Sequence, residues 1–185
     1  MRPATVRLGI LFGVVVSSLV CRAAAGQTPK PSRCATAEHH RLDYWVGDWD
    51  AYDLEDSEKL IARTHVDAIV GGCTLLETYE QNDGLLGQSF TLYDAARKVW
   101  HHTWVNNGGG LMVLEGQFKD AVLTLQGTVT SLDGKEKIVR DVWSPRPDGS
   151  VREAAEVSVD GGKTWKPYFD VLFRKHKAGA VPAPR

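Results

Sequence analysis

From residue 45 to residue 175 bulky apolar positions alternate with polar ones, and turn-forming residues interrupt the alternation roughly every ten residues. A period of two is the mark of β-structure, where successive side chains point to opposite faces. The pattern predicts strands over 45–53, 60–70, 73–80, 87–94, 98–105, 110–118, 121–130, 136–144, 150–159 and 165–175. Asn82-Asp83-Gly84, Asp133-Gly134, Asp148-Gly149 and Asp160-Gly161-Gly162 are among the turn signals between them. Short Asp-Gly and Asn-Gly turns join consecutive antiparallel hairpins. Pro145 and Pro147 bracket a turn that no central strand would tolerate. About ten sequential strands, with one short helix over 35–42, predict an all-β fold: an antiparallel up-and-down β-barrel. Closure removes the exposed edges such a sheet would otherwise carry.

The opening strand organises this expectation. Asp43–Asp50 concentrates Tyr44, Trp45 and Trp49 around Gly47, and alternation puts Trp45, Gly47 and Trp49 on one face. In the predicted helix, Glu38, His39, His40 and Arg41 are expected to be mostly solvated.

The first residues follow another pattern. Arg2 and Arg7 flank a start without acids, Leu8–Val20 is an apolar run, and Ala23-Ala24-Ala25 supplies small residues for cleavage. Residues 1–25 therefore read as a secretory signal peptide, too short to span a membrane. A lipoprotein attached through Cys21 is the weaker reading, because Val20 is large for the position before a lipidated cysteine. Residues 26–41 form a lead-in, 42–176 the barrel, and 177–185 a tail expected to be disordered. The expected location is the periplasm or the medium, with no membrane insertion once the leader is removed.

Without the leader, 19 Lys and Arg face 23 Asp and Glu, a formal charge of −4, with no basic stripe for nucleic acid. Cys34 and Cys73 then remain as an even pair in an exported chain, and a disulfide between them is expected. No histidine or second cysteine pair lies at zinc spacing, so no metal site and no cofactor are expected. The chain carries no signal for an oligomeric state.

Gly47-Asp48-Trp49 on the first strand and Arg174 on the last resemble the signature of lipocalin-like (calycin) barrels. In that superfamily the tryptophan closes one barrel end and an arginine packs across it. Residues 34–174 are also similar to uncharacterised exported bacterial proteins of this barrel type, through the stretches 43–50, 71–77, 100–105 and 158–165. The resemblance implies the barrel fold and contact between Trp49 and Arg174, and it implies no activity. Ser158–Trp165 also matches an Asp-box, in which Asp160 bonds turn amides and Trp165 packs beneath the hairpin. A single copy on this short chain is a folding device and not the mark of a sialidase.

Chemistry has few candidates. Trp100, His102 and Trp104 share one face of the fifth strand, and with Tyr93 they are expected to face inward and wall a ligand site. A haem-binding barrel of the nitrobindin type would want an axial histidine on a late strand, where only His176 is available. Glu77, Glu115, Asp141, Glu153, Glu156 and Asp170 all fall in strands, with Arg140 and Arg152 as possible partners. Alternating surface charge accounts for them more simply than an acid–base pair. There is no nucleophile elbow or phosphate-binding glycine loop. The favoured function is binding of a small, partly apolar molecule inside the barrel. The alternatives are an enzyme using His102 with a carboxylate, and a structural module with a filled interior.

Overall fold

The computed structural model describes residues 33–56 and 58–177. The expected signal peptide and most of the tail lie outside the described residues.

Ten antiparallel strands close into one up-and-down barrel, each hydrogen-bonded to its neighbours in sequence and the first to the last. They are β1 (Gly47–Asp53), β2 (Leu60–Ile69), β3 (Thr74–Gln81), β4 (Leu86–Asp94), β5 (Val99–Asn106), β6 (Leu111–Lys119), β7 (Val122–Thr130), β8 (Glu136–Pro145), β9 (Val151–Ser158) and β10 (Lys166–Lys175). Each expected strand exists, with its ends displaced by no more than two residues. The turn chemistry explains that accuracy. At three hairpin tips an aspartate carboxylate accepts the backbone N–H two residues on: Asp83 from Leu85, Asp133 from Lys135 and Asp148 from Ser150. Pro167 sits where the β9–β10 register shifts, a place where a missing N–H is tolerated.

One barrel end is sealed. It is the end at which β1, β3, β5, β7 and β9 begin. The first strand starts at Gly47 and not at 45, because Asp43–Trp45 forms a 3-10 turn. That turn folds Trp45 over the barrel end. Its ring stacks on Trp49 at 4.8 Å and meets Phe173 edge-on at 4.8 Å and Trp143 at 5.5 Å. The Trp49 indole N–H donates to the Trp45 carbonyl at 2.7 Å. Aromatic contacts of this kind add to the stabilisation from burial.

The expected helix over 35–42 is only a single 3-10 turn, Ala37–His40. Its side chains are not mostly solvated, because they lie on the barrel rim. Glu38 accepts the Trp100 N–H at 3.0 Å, His39 meets Tyr93 edge-on at 5.3 Å, and the Arg41 guanidinium lies 4.0 Å from the Phe118 ring centre. His40 alone among the four is exposed. Cys34 is disulfide-bonded to Cys73, at the start of β3, which fastens this segment to the same end. The loop closed spans a separation of 39 residues. Closing a loop of that size stabilises by ~3–4 kcal/mol in the chain-entropy account.

The expected Trp49–Arg174 pair is corrected. Trp49 is registered opposite Lys175, and Arg174 opposite Asp50. Period two therefore sends Arg174 to the outer face, where its guanidinium lies 4.8 Å from the Tyr52 ring centre. The cation over Trp49 is Lys175, with Nζ 3.8 Å from the ring centre and donating to the Val46 carbonyl at 2.6 Å. Gly47 makes room for it. Its φ is +119°, and a Cβ there would meet Lys175 Nζ at 3.2 Å.

The Asp-box geometry is present. Asp160 accepts the backbone N–H groups of Lys163 and Thr164 at 3.0 and 2.9 Å, and the Thr164 hydroxyl at 2.6 Å. Those bonds hold its carboxyl well below the usual range. Trp165 donates to the Gly162 carbonyl at 3.1 Å and carries the Arg140 guanidinium 4.0 Å from its ring centre.

Candidate functional site

The register decides which side chains share the barrel interior. Tyr93 is opposite Trp100, Thr91 opposite His102, and Ser89 opposite Trp104. Leu114 continues the His102 row, and Met112 the Trp104 row. Trp100, His102, Trp104 and Tyr93 thus share the inward parity expected of them, but they stand at different depths. Trp100 and Tyr93 lie at the sealed end under Glu38 and His39. His102 is fully buried in the middle. Trp104 stands towards the other end and is only half-buried. The four are a column along the wall.

His102 is a neutral, bonded imidazole. Its Nδ1 and the Thr91 hydroxyl share a hydrogen bond at 2.8 Å, and its ring meets Trp143 edge-on at 5.6 Å. Burial pushes its pKa down to about 4, and His101 adds a smaller repulsion.

The end opposite the seal is lined by apolar residues that keep solvent contact. Tyr79, Trp104, Met112, Val129, Val157 and Phe169 are all half-buried. The Trp104 ring lies against Gly87 of β4, where any Cβ would come within 2.1 Å of it. Tyr79 meets that ring edge-on at 5.7 Å. A glycine here keeps the indole against the wall and out of the opening.

Below this mouth are three carboxyl groups that sequence reasoning treated as surface charge. Glu77 faces inward from β3, Asp141 from β8 and Glu153 from β9, as their register partners Val66, Leu125 and Trp143 require. Glu77 is held by the hydroxyls of Thr64 and Ser89, each at 2.9 Å. Asp141 Oδ2 accepts the Trp143 indole N–H at 2.8 Å, while its Oδ1, fully buried, accepts from no N–H or O–H. The Asp141 and Glu153 carboxyls are hydrogen-bonding neighbours, and the two groups can share a proton. Burial pushes the Asp141 carboxyl up to about 7 and raises Glu77. Burial also raises Glu153 well above the carboxylate range, with repulsion from Asp141 and Glu77 adding to it. Glu153 is deep in the barrel yet keeps solvent contact.

The other three strand carboxylates point outward, as expected. Glu115 pairs with Arg97 at 2.7 Å, Glu156 with Arg140 at 2.6 Å, and Asp170 with Arg152 at 2.8 Å. Arg140 and Arg152 therefore serve the outer wall. His176 is also committed there, sharing a hydrogen bond with Asp50 at 3.0 Å.

No protein-family model matches the chain, and no curated protein is significantly similar to it. Among the described residues no cluster of three His, Cys, Asp or Glu side chains has the geometry to hold a metal ion. No helix among them is long and apolar enough to cross a membrane.

The signal that could have found the inner carboxyls is the identity of the residues two positions away. Glu77 stands between Leu75 and Tyr79, Asp141 between Val139 and Trp143, and Glu153 between Val151 and Ala155. Each lies on the apolar face of its own strand.

Proposed function

We propose that this protein is an exported, lipocalin-like barrel that holds a small, partly apolar molecule in its interior. The observation that carries the reading is the half-buried apolar mouth at one end, above a carboxyl group that is deep yet in contact with solvent. A sealed base and an open mouth make a cup, and apolar walls with a few convergent polar groups are the usual composition of a ligand site. The Cys34–Cys73 disulfide supports export, since such bonds persist in oxidising compartments. The leader-like pattern at 1–25 and the resemblance to exported calycin-type barrels support it too.

Catalysis by His102 with a carboxylate has less support. Its Nδ1 is taken by a threonine hydroxyl, its edge lies on an indole, and burial keeps it neutral.

The test is a thermal-shift screen over a metabolite panel, with tryptophan fluorescence for each hit. The expected result is a rise in midpoint with quenching, and loss of both in Trp104→Ala. A panel without hits, or hits indifferent to Trp104→Ala, would contradict the site.

A further inference from the structure

The interior has an unbalanced charge inventory. Among the described residues Glu77, Asp141 and Glu153 are the deep inward acids, and none of them has an Arg or Lys partner there. The basic residues of the strands either face outward, as Arg63, Arg140, Arg152 and Arg174 do, or sit at strand ends, as Lys119, Lys137, Lys166 and Lys175 do. Burying carboxyls without a cation is costly, and buried charges are normally paired. Asp141 adds an independent mark. Its Oδ1 is fully buried with no amide, indole or hydroxyl donor, and its carboxyl borders the half-buried Glu153 beneath the mouth.

We infer that the molecule held in this barrel is an organic amine cation, with its ammonium on the Asp141–Glu153 pair and its apolar body among Tyr79, Trp104 and Phe169. This rests on the reading of the barrel as a ligand cup. An ammonium supplies what the pair lacks, namely two or three N–H donors and a positive charge. The aromatic mouth suits the rest of such a molecule, because indole and phenol faces attract cations and bury apolar carbon. A bare divalent ion is the poorer occupant, since the described acids do not converge as metal ligands do. A carboxylate ligand would find carboxyls and no cation at the depth of the pair.

Binding also moves a proton. In the empty barrel the Asp141–Glu153 pair holds at least one, and the incoming ammonium displaces it to solvent. The titratable groups facing the pair are Glu77 and Tyr79 from β3 and His102 from β5, none of them a cation at neutral pH.

The experiment is isothermal titration of the disulfide-bonded protein with matched probes: 2-phenylethylamine, 2-phenylethanol and 3-phenylpropanoate, with tryptamine and its alcohol as a larger pair. The amines should bind at least about tenfold more tightly than the alcohols, the worth of one charge-assisted hydrogen bond, and the carboxylate should not bind. Glu153→Gln should erase that advantage and leave the alcohols unchanged, with Asp141→Asn as the second variant should the first not fold. Titration in two buffers of different ionisation enthalpy should show proton release with the amines alone. Alcohols binding as tightly as amines, or Glu153→Gln keeping the amine affinity, would overturn the amine assignment and leave the cup standing. No probe binding at all would overturn both.

Discussion

At the sealed end Trp45, Trp49, Trp143 and Phe173 are all 2% exposed or less and pack ring on ring. At the other end Trp104, Tyr79 and Phe169 have the same inward parity and remain half-buried. The difference comes from what covers them. The sealed end has a lead-in segment fastened by a disulfide, while the mouth has only hairpins and one glycine that keeps an indole aside. Aromatic residues therefore serve two purposes in one barrel. Packed against each other they are stability, and left with a free face they are the surface the proposed ligand would meet. The acids follow the same division of space: among the described residues the outward Glu115, Glu156 and Asp170 meet arginines, and the inward Glu77, Asp141 and Glu153 meet none.

The largest expected effect lies at the seal. Trp45→Ala should cost about 3–5 kcal/mol, as truncation of a fully buried aromatic does, and should be read from urea unfolding. Trp104→Ala should cost less, about 1–2 kcal/mol, because that indole is only partly buried. Equal costs at the two positions would break the distinction between the ends.

Acid–base behaviour gives a smaller effect of defined sign. Asp141 ionises near 4 in an unfolded chain and near 7 in the barrel, so the folded state holds a proton between those values that the unfolded state lacks. Its contribution to stability is full below about pH 4 and lost as pH rises through about 7. Glu77 and Glu153 act in the same direction. His102 acts in the opposite one, because its folded pKa of about 4 lies below the unfolded 6.5. Its contribution is present above about pH 6.5 and lost towards pH 4, so above about 6.5 the acids act alone. The melting midpoint should therefore fall between about pH 6.5 and 8.5. Asp141→Asn should flatten that fall and raise stability at about pH 8 by on the order of 1 kcal/mol. A midpoint that rises over this interval would show that the inner acids are compensated.

Fold and site were legible to different degrees, for one physical reason. Turn chemistry and period-two alternation are local, so ten strands and their order follow from residues near in sequence. Depth along the barrel is not local. The alternation of β5 puts Trp100, His102 and Trp104 on one face, but only the register with its neighbours and the lead-in shows Trp100 covered and Trp104 open. The Trp49 partner failed similarly. Arg174 and Lys175 differ by one residue, and the β1–β10 register alone decides which of them reaches the indole. The inner acids were readable from their apolar neighbours two positions away, and general expectations of surface charge outweighed that signal.

The cup is tested most directly by native mass spectrometry of the protein purified from its own host, run before and after denaturation. The account predicts a species heavier than the disulfide-bonded chain by the mass of one small molecule, with that excess lost on unfolding. A population at the mass of the bare disulfide-bonded chain alone, together with no thermal shift across the metabolite panel, would contradict it and leave a barrel filled by its own side chains.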